Sequence, residues 1–200
     1  MRRVLTFASA IAAGLCLMAP AGVTTQSPPA FWDGGQTLGF EYRINEYTPG
    51  AQSDPAVAAE AGDVVVVWSS AGQDGDGSGV YARRYNGVDI PLGGEFLVHE
   101  SADGSQTQPA VDQDADGNFV VAWKESLGGV VSIRARAFNA DGTPAGASFA
   151  VAGGAGLAVD SPSVAVDADG DFVVVWTQSS GGPSGVYAQR YDAAGAPQER

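Results

Sequence analysis

The 200-residue sequence holds one cysteine, one histidine and two methionines. Met1, Cys16 and Met18 all fall in the first 18 residues, so the body of the chain has no thiol at all. Without a disulfide staple it must be held together by burial alone. His99 stands alone, with no cysteine to join it, and that excludes the usual zinc ligand sets. No Gly-x-Ser-x-Gly elbow accompanies it, so a Ser-His-Asp arrangement has no local support. Basic residues are scarce: Lys and Arg number 10 against 23 Asp and Glu, a formal charge of −13. Nucleic acid and anionic membranes attract positive charge, so both are disfavoured as partners. Past residue 21 no long apolar run occurs, and no segment carries a helical period.

The opening stretch reads as a targeting segment. Arg2 and Arg3 precede an uncharged apolar run from Val4 to Met18, and Ala19-Pro20-Ala21 offers a small-x-small cleavage site. Residues 1–21 are thus expected to be a signal peptide, which places the protein in the periplasm, at the cell surface or in the medium. The apolar run is short for a membrane span and has no basic stop-transfer flank. Leu15 stands before Cys16, where lipidation would want a small residue. Removing residues 1–21 leaves 8 basic against 23 acidic residues.

The rest of the chain repeats itself. Phe119-Val-Val-Ala-Trp123 returns as Phe172-Val-Val-Val-Trp176, a shift of 53, and Val64 to Trp68 is the same segment one copy earlier. Pro55, Pro109 and Pro162 precede these runs at similar distance. Gly79 to Tyr85, Ser132 to Phe138 and Gly185 to Tyr191 align, as do Tyr42, Phe96 and Phe149. A fixed period of this length is the mark of a repeat architecture. The units are 40–93, 94–146 and 147–200, joined to the signal by a polar linker over 22–39 containing Pro28-Pro29 and Phe31-Trp32.

Each unit reads as four short strands. The first is Glu95 to His99, or Ser148 to Ala152. The second follows the proline, the third is the apolar run ending in Trp, and the fourth alternates. Their β-branched and aromatic residues, bounded by Gly, Pro, Asp and Ser, favour strands. Gly62, Gly117 and Gly170 share one aligned place between the second and third strands, where a tight hairpin needs positive φ. The third strand is apolar at nearly every position, so both its faces should be buried, unlike a sheet with one wet face. Four-stranded antiparallel units stacked face to face are β-propeller blades. Three blades fall short of the usual four to eight, so an incomplete or open ring is expected. The next aromatic after Phe149 would fall at position 202, which suggests a longer array or self-assembly.

The pattern of a proline, V-x-V-D-x-D-G-x-F-V-V-V-W, G-V-Y-A-x-R-Y-D and then G-x-P resembles β-propeller-like repeats of large exported bacterial proteins. It is loosely similar to the blades of integrin α-chains, and it covers residues 40 to 200. Such blades often carry a calcium loop of the form D-x-D-x-D-G-x-x-D. Here Asp112, Asp114, Asp116 and Gly117 match, but Val120 stands where the last acid should be. Alternating carboxylates around a glycine turn can supply several of calcium's oxygens, so Asp112, Asp114 and Asp116 are the metal candidates. A hairpin rich in Asp and Gly for conformational reasons accounts for the same residues.

Three further features are read as structural. Gln73 to Gly79 is expected to be a flexible loop. Trp68, Trp123 and Trp176 end the buried strand and belong to the core. Arg83, Arg84 and Arg190 lie along the sheet among aromatic residues. Two loop sets, 45–54, 99–108 and 152–161 with 69–78, 124–130 and 177–184, should share one rim, where binding sits on variable loops over a rigid scaffold. The sequence favours a non-catalytic structural or recognition module for an unspecified protein or glycan ligand. The alternative is an extracellular glycan-active hydrolase, because acids are abundant, or a fragment of a longer propeller protein.

Overall fold

The computed structural model describes residues 30–33, 36–60, 62–87 and 89–199. The expected signal peptide, with Cys16, and the first part of the expected linker lie outside these residues. The chain divides into two compact units, Met1–Tyr42 and Arg43–Arg200. In the first, Ala30–Asp33 (β1) pairs antiparallel with Gln36–Phe40 (β2). The pairing falls within the second half of the expected linker, 22–39.

The second unit is all β. Its strands form three four-stranded antiparallel sheets, and the described residues contain no helix. The first sheet holds Gln52–Glu60 (β3), Asp63–Ala71 (β4), Ser78–Asn86 (β5) and Phe96–Leu97 (β6). The second holds Ser105–Gln113 (β7), Phe119–Leu127 (β8), Val130–Phe138 (β9) and Phe149–Gly153 (β10). The third holds Ala158–Val166 (β11), Phe172–Ser179 (β12), Gly185–Tyr191 (β13) and Pro197–Gln198 (β14). In each sheet consecutive strands are neighbours, which is the order of a propeller blade.

The sheets are offset from the sequence units by one strand. Leu97 pairs with Tyr81 and Phe149 with Ala135. The segment read as the first strand of a unit therefore closes the sheet of the preceding one. A repeat can be cut at any phase, and its sequence names strands without naming their partners. Pairing is set by the chain crossing to the next sheet at 98–104 and 154–157.

The recurring proline marks a bulge. Register shifts between Ser53 and Ala56, Thr107 and Ala110, and Asp160 and Ser163. The residue before each proline, Asp54, Gln108 or Ser161, has φ between 51 and 53°. Proline has no N–H to give to the ladder, so it is tolerated in a sheet at such a break.

The core lies between the sheets. Val65, Val67, Val80 and Ala82 of the first blade pack with Phe119, Val121, Trp123 and Phe138 of the second. Val120, Ala122, Ile133 and Ala135 of the second pack with Phe172, Val174, Trp176 and Tyr191 of the third. Alternate residues of β8 thus face opposite neighbours, and all of Phe119–Trp123 is buried. This is why the strand lacks polar alternation. In β12 the alternation survives as exposure, with Val173 and Val175 half-buried beside buried Phe172, Val174 and Trp176.

Candidate functional site

Strand direction assigns each loop to a rim. Turns between the first two strands of each blade make one rim. There Gly62, Gly117 and Gly170 have φ of 89, 84 and 87°, as the aligned glycines require. The Asp114 carboxylate accepts from the N–H of Asp116 and of Asn118, each at 2.9 Å, and from the Asn118 side chain at 2.8 Å. Asp167 accepts from Asp169 and Asp171 in the same way, and Asp192 from Ala194 and Ala196. Asp114, Asp167 and Asp192 are turn-formers, each satisfying orphan backbone donors.

The three metal candidates part company here. Asp112 points to the next blade and accepts the Val166 N–H at 2.8 Å. Asp114 is taken up by its own turn, and Asp116 is exposed. Among the described residues no three acidic, His or Cys groups are gathered to hold a metal ion. The donor set does not fit calcium, which asks for six to eight converging oxygens.

The opposite rim carries 43–51, 72–77, 98–104, 128–129, 154–157 and 180–184. These are the expected loops, cut back where β3, β7 and β11 begin at residues 52, 105 and 158. In the second blade the connection is only Gly128-Gly129, flanked by exposed Leu127 (46%) and Val130 (42%).

The densest polar feature of the described residues lies on this rim, where the first blade meets the second. Asp74 sits in the connection 72–77, and its side chain is 2% exposed. It faces His99 in the connection 98–104, whose side chain is 3% exposed. The segment expected to flex is therefore pinned. Gly72 N–H donates to Gly77 O at 2.8 Å, and Gly104 N–H donates to Asp76 at 3.0 Å. His99 Nδ1 lies 2.7 Å from Ser101 O and Nε2 lies 3.6 Å from Asp74 Oδ2. The first contact is a hydrogen bond and fixes a proton on Nδ1. The second is too long to be one, and neither Nε2 nor Oδ2 has a hydrogen-bond partner. Burial pushes the His99 pKa down, while Ser101 O and Asp74 pull it back only in part. Gly79 makes the pairing possible, because a Cβ there would stand 2.6 Å from Asp74 Oδ2 and 2.9 Å from His99 Nε2.

Around this pair, Gln73 donates to Glu95 at 2.6 Å, and Glu95 accepts the N–H groups of Glu46 and Tyr47. Burial, with Asp74 and Glu95 nearby, pushes the Tyr81 phenol up to about 12. Sequence reasoning missed Asp74. The signal was faint: Asn45 aligns with His99 and makes the same bond two residues on, to Tyr47 O at 2.6 Å.

The arginines form a repeated clamp. Arg83 donates to Ile44 O at 2.8 Å and lies 2.7 Å from Glu46. Arg136 donates to Val98 O at 2.9 Å and lies 3.2 Å from Glu100. In the third copy Gln189 and Gly153 occupy the aligned places, and the clamp is lost. Burial raises the Glu100 carboxyl, but the Ser148 N–H and Arg136 outweigh it and hold it below the usual range. His99 is 4% exposed, and Asp76, Glu95 and Glu100 of this rim accept from backbone N–H groups.

No protein-family model and no curated protein sequence matches the chain. Among solved structures it is similar to an N-acetylgalactosamine deacetylase from F. plautii in complex with blood group B trisaccharide, at 14% identity and a TM-score of 0.53, over 80% of this chain and 55% of that one. An α-L-arabinofuranosidase from Lactobacillus brevis matches at 12% identity and a TM-score of 0.52, over 81% and 58%. An endo-arabinase from Bacteroides thetaiotaomicron matches at 14% identity and a TM-score of 0.50, over 82% and 66%. The chain thus spans about three-fifths of the length of these structures. What it shares with them is the β-propeller fold, which in this chain takes the form of three four-stranded antiparallel sheets in an open arrangement.

Proposed function

We propose that the chain is an exported, non-catalytic recognition module: a rigid stack of blades that presents the rim of 43–51, 72–77, 98–104 and 128–129 to a protein or glycan ligand. One observation carries this reading. Asp76, Glu95 and Glu100 of the rim accept from backbone N–H groups and Asp74 and His99 are buried, while the tip of the second blade offers exposed apolar Leu127 and Val130. Loops differ between copies and the strands beneath them do not, which is how binding surfaces are built on rigid scaffolds. Export rests on residues 1–21 and on the resemblance to repeats of large exported bacterial proteins. Calcium is not needed for this role.

A second reading, glycan hydrolysis, draws on the names of the similar structures, two of which act on arabinose-containing substrates. It rests on fold alone, and fold does not transmit activity. One experiment separates the two. The full chain is titrated with arabinan and xylan oligosaccharides while tryptophan fluorescence is followed, and released reducing ends are assayed in the same samples. Saturable binding without product, weakened by Leu127→Ser, supports the recognition module with a glycan ligand. Product formation abolished by Asp74→Asn overturns it. No binding to any glycan leaves a protein ligand as the form of the reading to pursue.

A further inference from the structure

Both internal interfaces are made by the same aligned residues, which allows the two outer faces of the stack to be read from them. Each blade has a forward face that meets its successor and a rear face that meets its predecessor. In the first blade the forward face is Ala58, Val65, Val67, Val80 and Ala82, all buried in the first core cluster. In the second blade the aligned Val120, Ala122, Ile133 and Ala135 bury into the third. The third blade carries the same set again: Ala165, Val173, Val175, Val186 and Ala188. There it is uncovered, with Val186 79% exposed and Ala165 and Ala188 exposed. Val173 and Ala188 line a broad hollow of about 1080 Å³ on this side. Arg84 reaches forward to Asp141 O at 2.6 Å, and Arg190 stands at the aligned place on the third blade.

The rear face behaves in the same way. Val111, Phe119 and Val121 of the second blade bury against the first, and Val164, Phe172 and Val174 of the third bury against the second. The aligned residues of the first blade are Val57, Val64 and Val66. Val57 is 64% exposed, and Val64 and Val66 are half-buried. Among the described residues of Arg43–Arg200, the forward face of the third blade and the rear face of the first are thus left exposed, and both are made of the residues that join the blades elsewhere.

We infer that the forward face of the third blade docks the rear face of the first blade of a second copy of this chain, head to tail. The contact continues the internal interface: β-branched and small residues on one side, β-branched residues on the other. It is heterologous, since different faces meet, and such contacts close into rings or run on as filaments.

The test uses two single variants of the full chain, Val186→Arg on the forward face and Val57→Arg on the rear face. Both sites are largely exposed, so neither charge enters a core, and circular dichroism checks the fold of each. Mass is measured by sedimentation from ~1 to ~100 μM, the range in which a micromolar contact fills. The expected result is that the wild type associates, each variant alone is monomeric, and an equal mixture of the two gives a one-to-one dimer. The mixture is decisive, because each variant keeps the one good face the other lacks. A wild type that stays monomeric at every concentration overturns the inference. So does association that survives either substitution alone, which would place the contact elsewhere or join like faces.

Discussion

Arg136 Nη2 lies 3.2 Å from Glu100 Oε1, and the same guanidinium donates to Val98 O at 2.9 Å. One side chain of β9 thereby holds the segment by which the chain crosses from the first blade to the second. Arg83 and Glu46 repeat the arrangement one copy earlier, at 2.7 Å.

Arg136→Gln, which installs the residue of the third copy, is expected to lower stability by about 1–2 kcal/mol through the lost charged hydrogen bond to a buried carbonyl. Glu100→Gln should cost under ~1 kcal/mol, because a half-exposed ion pair contributes little. Urea unfolding of both variants checks the order. Equal costs would show that the carbonyl bond contributes nothing beyond the ion pair.

Acid should weaken the fold through His99. Its folded pKa lies below the ordinary value, so the unfolded chain takes up a proton first as pH falls. The contribution is fully present above the unfolded pKa of about 6.5 and is lost as pH falls from there through the folded value. The carboxylates held low, Glu100 and Asp160, act only below their own unfolded range near pH 4. Unfolding midpoints at pH 7 and pH 5 should therefore differ for the wild type. The difference should shrink in His99→Asn, which keeps a donor for Ser101 O as Asn45 does for Tyr47 O. An undiminished difference would assign the acid sensitivity to another group.

Calcium should leave the fold unchanged. Asp112 is bonded to the Val166 N–H of the next blade and Asp114 to its own turn. Asp112→Ala is expected to cost about 1 kcal/mol, because a half-buried amide loses its acceptor, and to cost the same with or without millimolar calcium. Thermal unfolding of both chains checks this. A rise of several degrees in the wild type with calcium, absent in the variant, would show ion binding at Asp112.

The repeat, the strand-forming runs and the positive φ at Gly62, Gly117 and Gly170 were legible in the sequence. Each is a local property written several times over. Pairing partners were not: nothing in Phe96-Leu97 or Phe149 to Gly153 says that it closes the previous sheet, since both neighbours offer an apolar, alternating edge. The two-sided burial of Phe119 to Trp123 could be read from its unbroken apolarity. The same run in the third copy, Phe172 to Trp176, misled in part, because Val173 and Val175 are half-exposed. The candidate site was the least legible. Asp74 lies in a Gly-Asp-Ser stretch whose composition signals a loose loop, yet it is buried against a histidine 25 positions on. Only the crossing of the chain between blades brings the two together.

The stacking of blades through both faces of β8 is tested most directly by matched Val→Ala substitutions, measured by urea unfolding at sub-micromolar concentration. Val121 faces the first blade, Val120 and Val174 lie in the interface of the second blade with the third, and Val173 and Val175 face outward. Each of the first three is expected to cost about 1–2 kcal/mol, and each of the last two under ~0.5 kcal/mol, the difference between opening a cavity and trimming a surface. Equal losses at Val121 and Val173, or no loss at Val120, would contradict a stack in which the middle blade is buried on both sides.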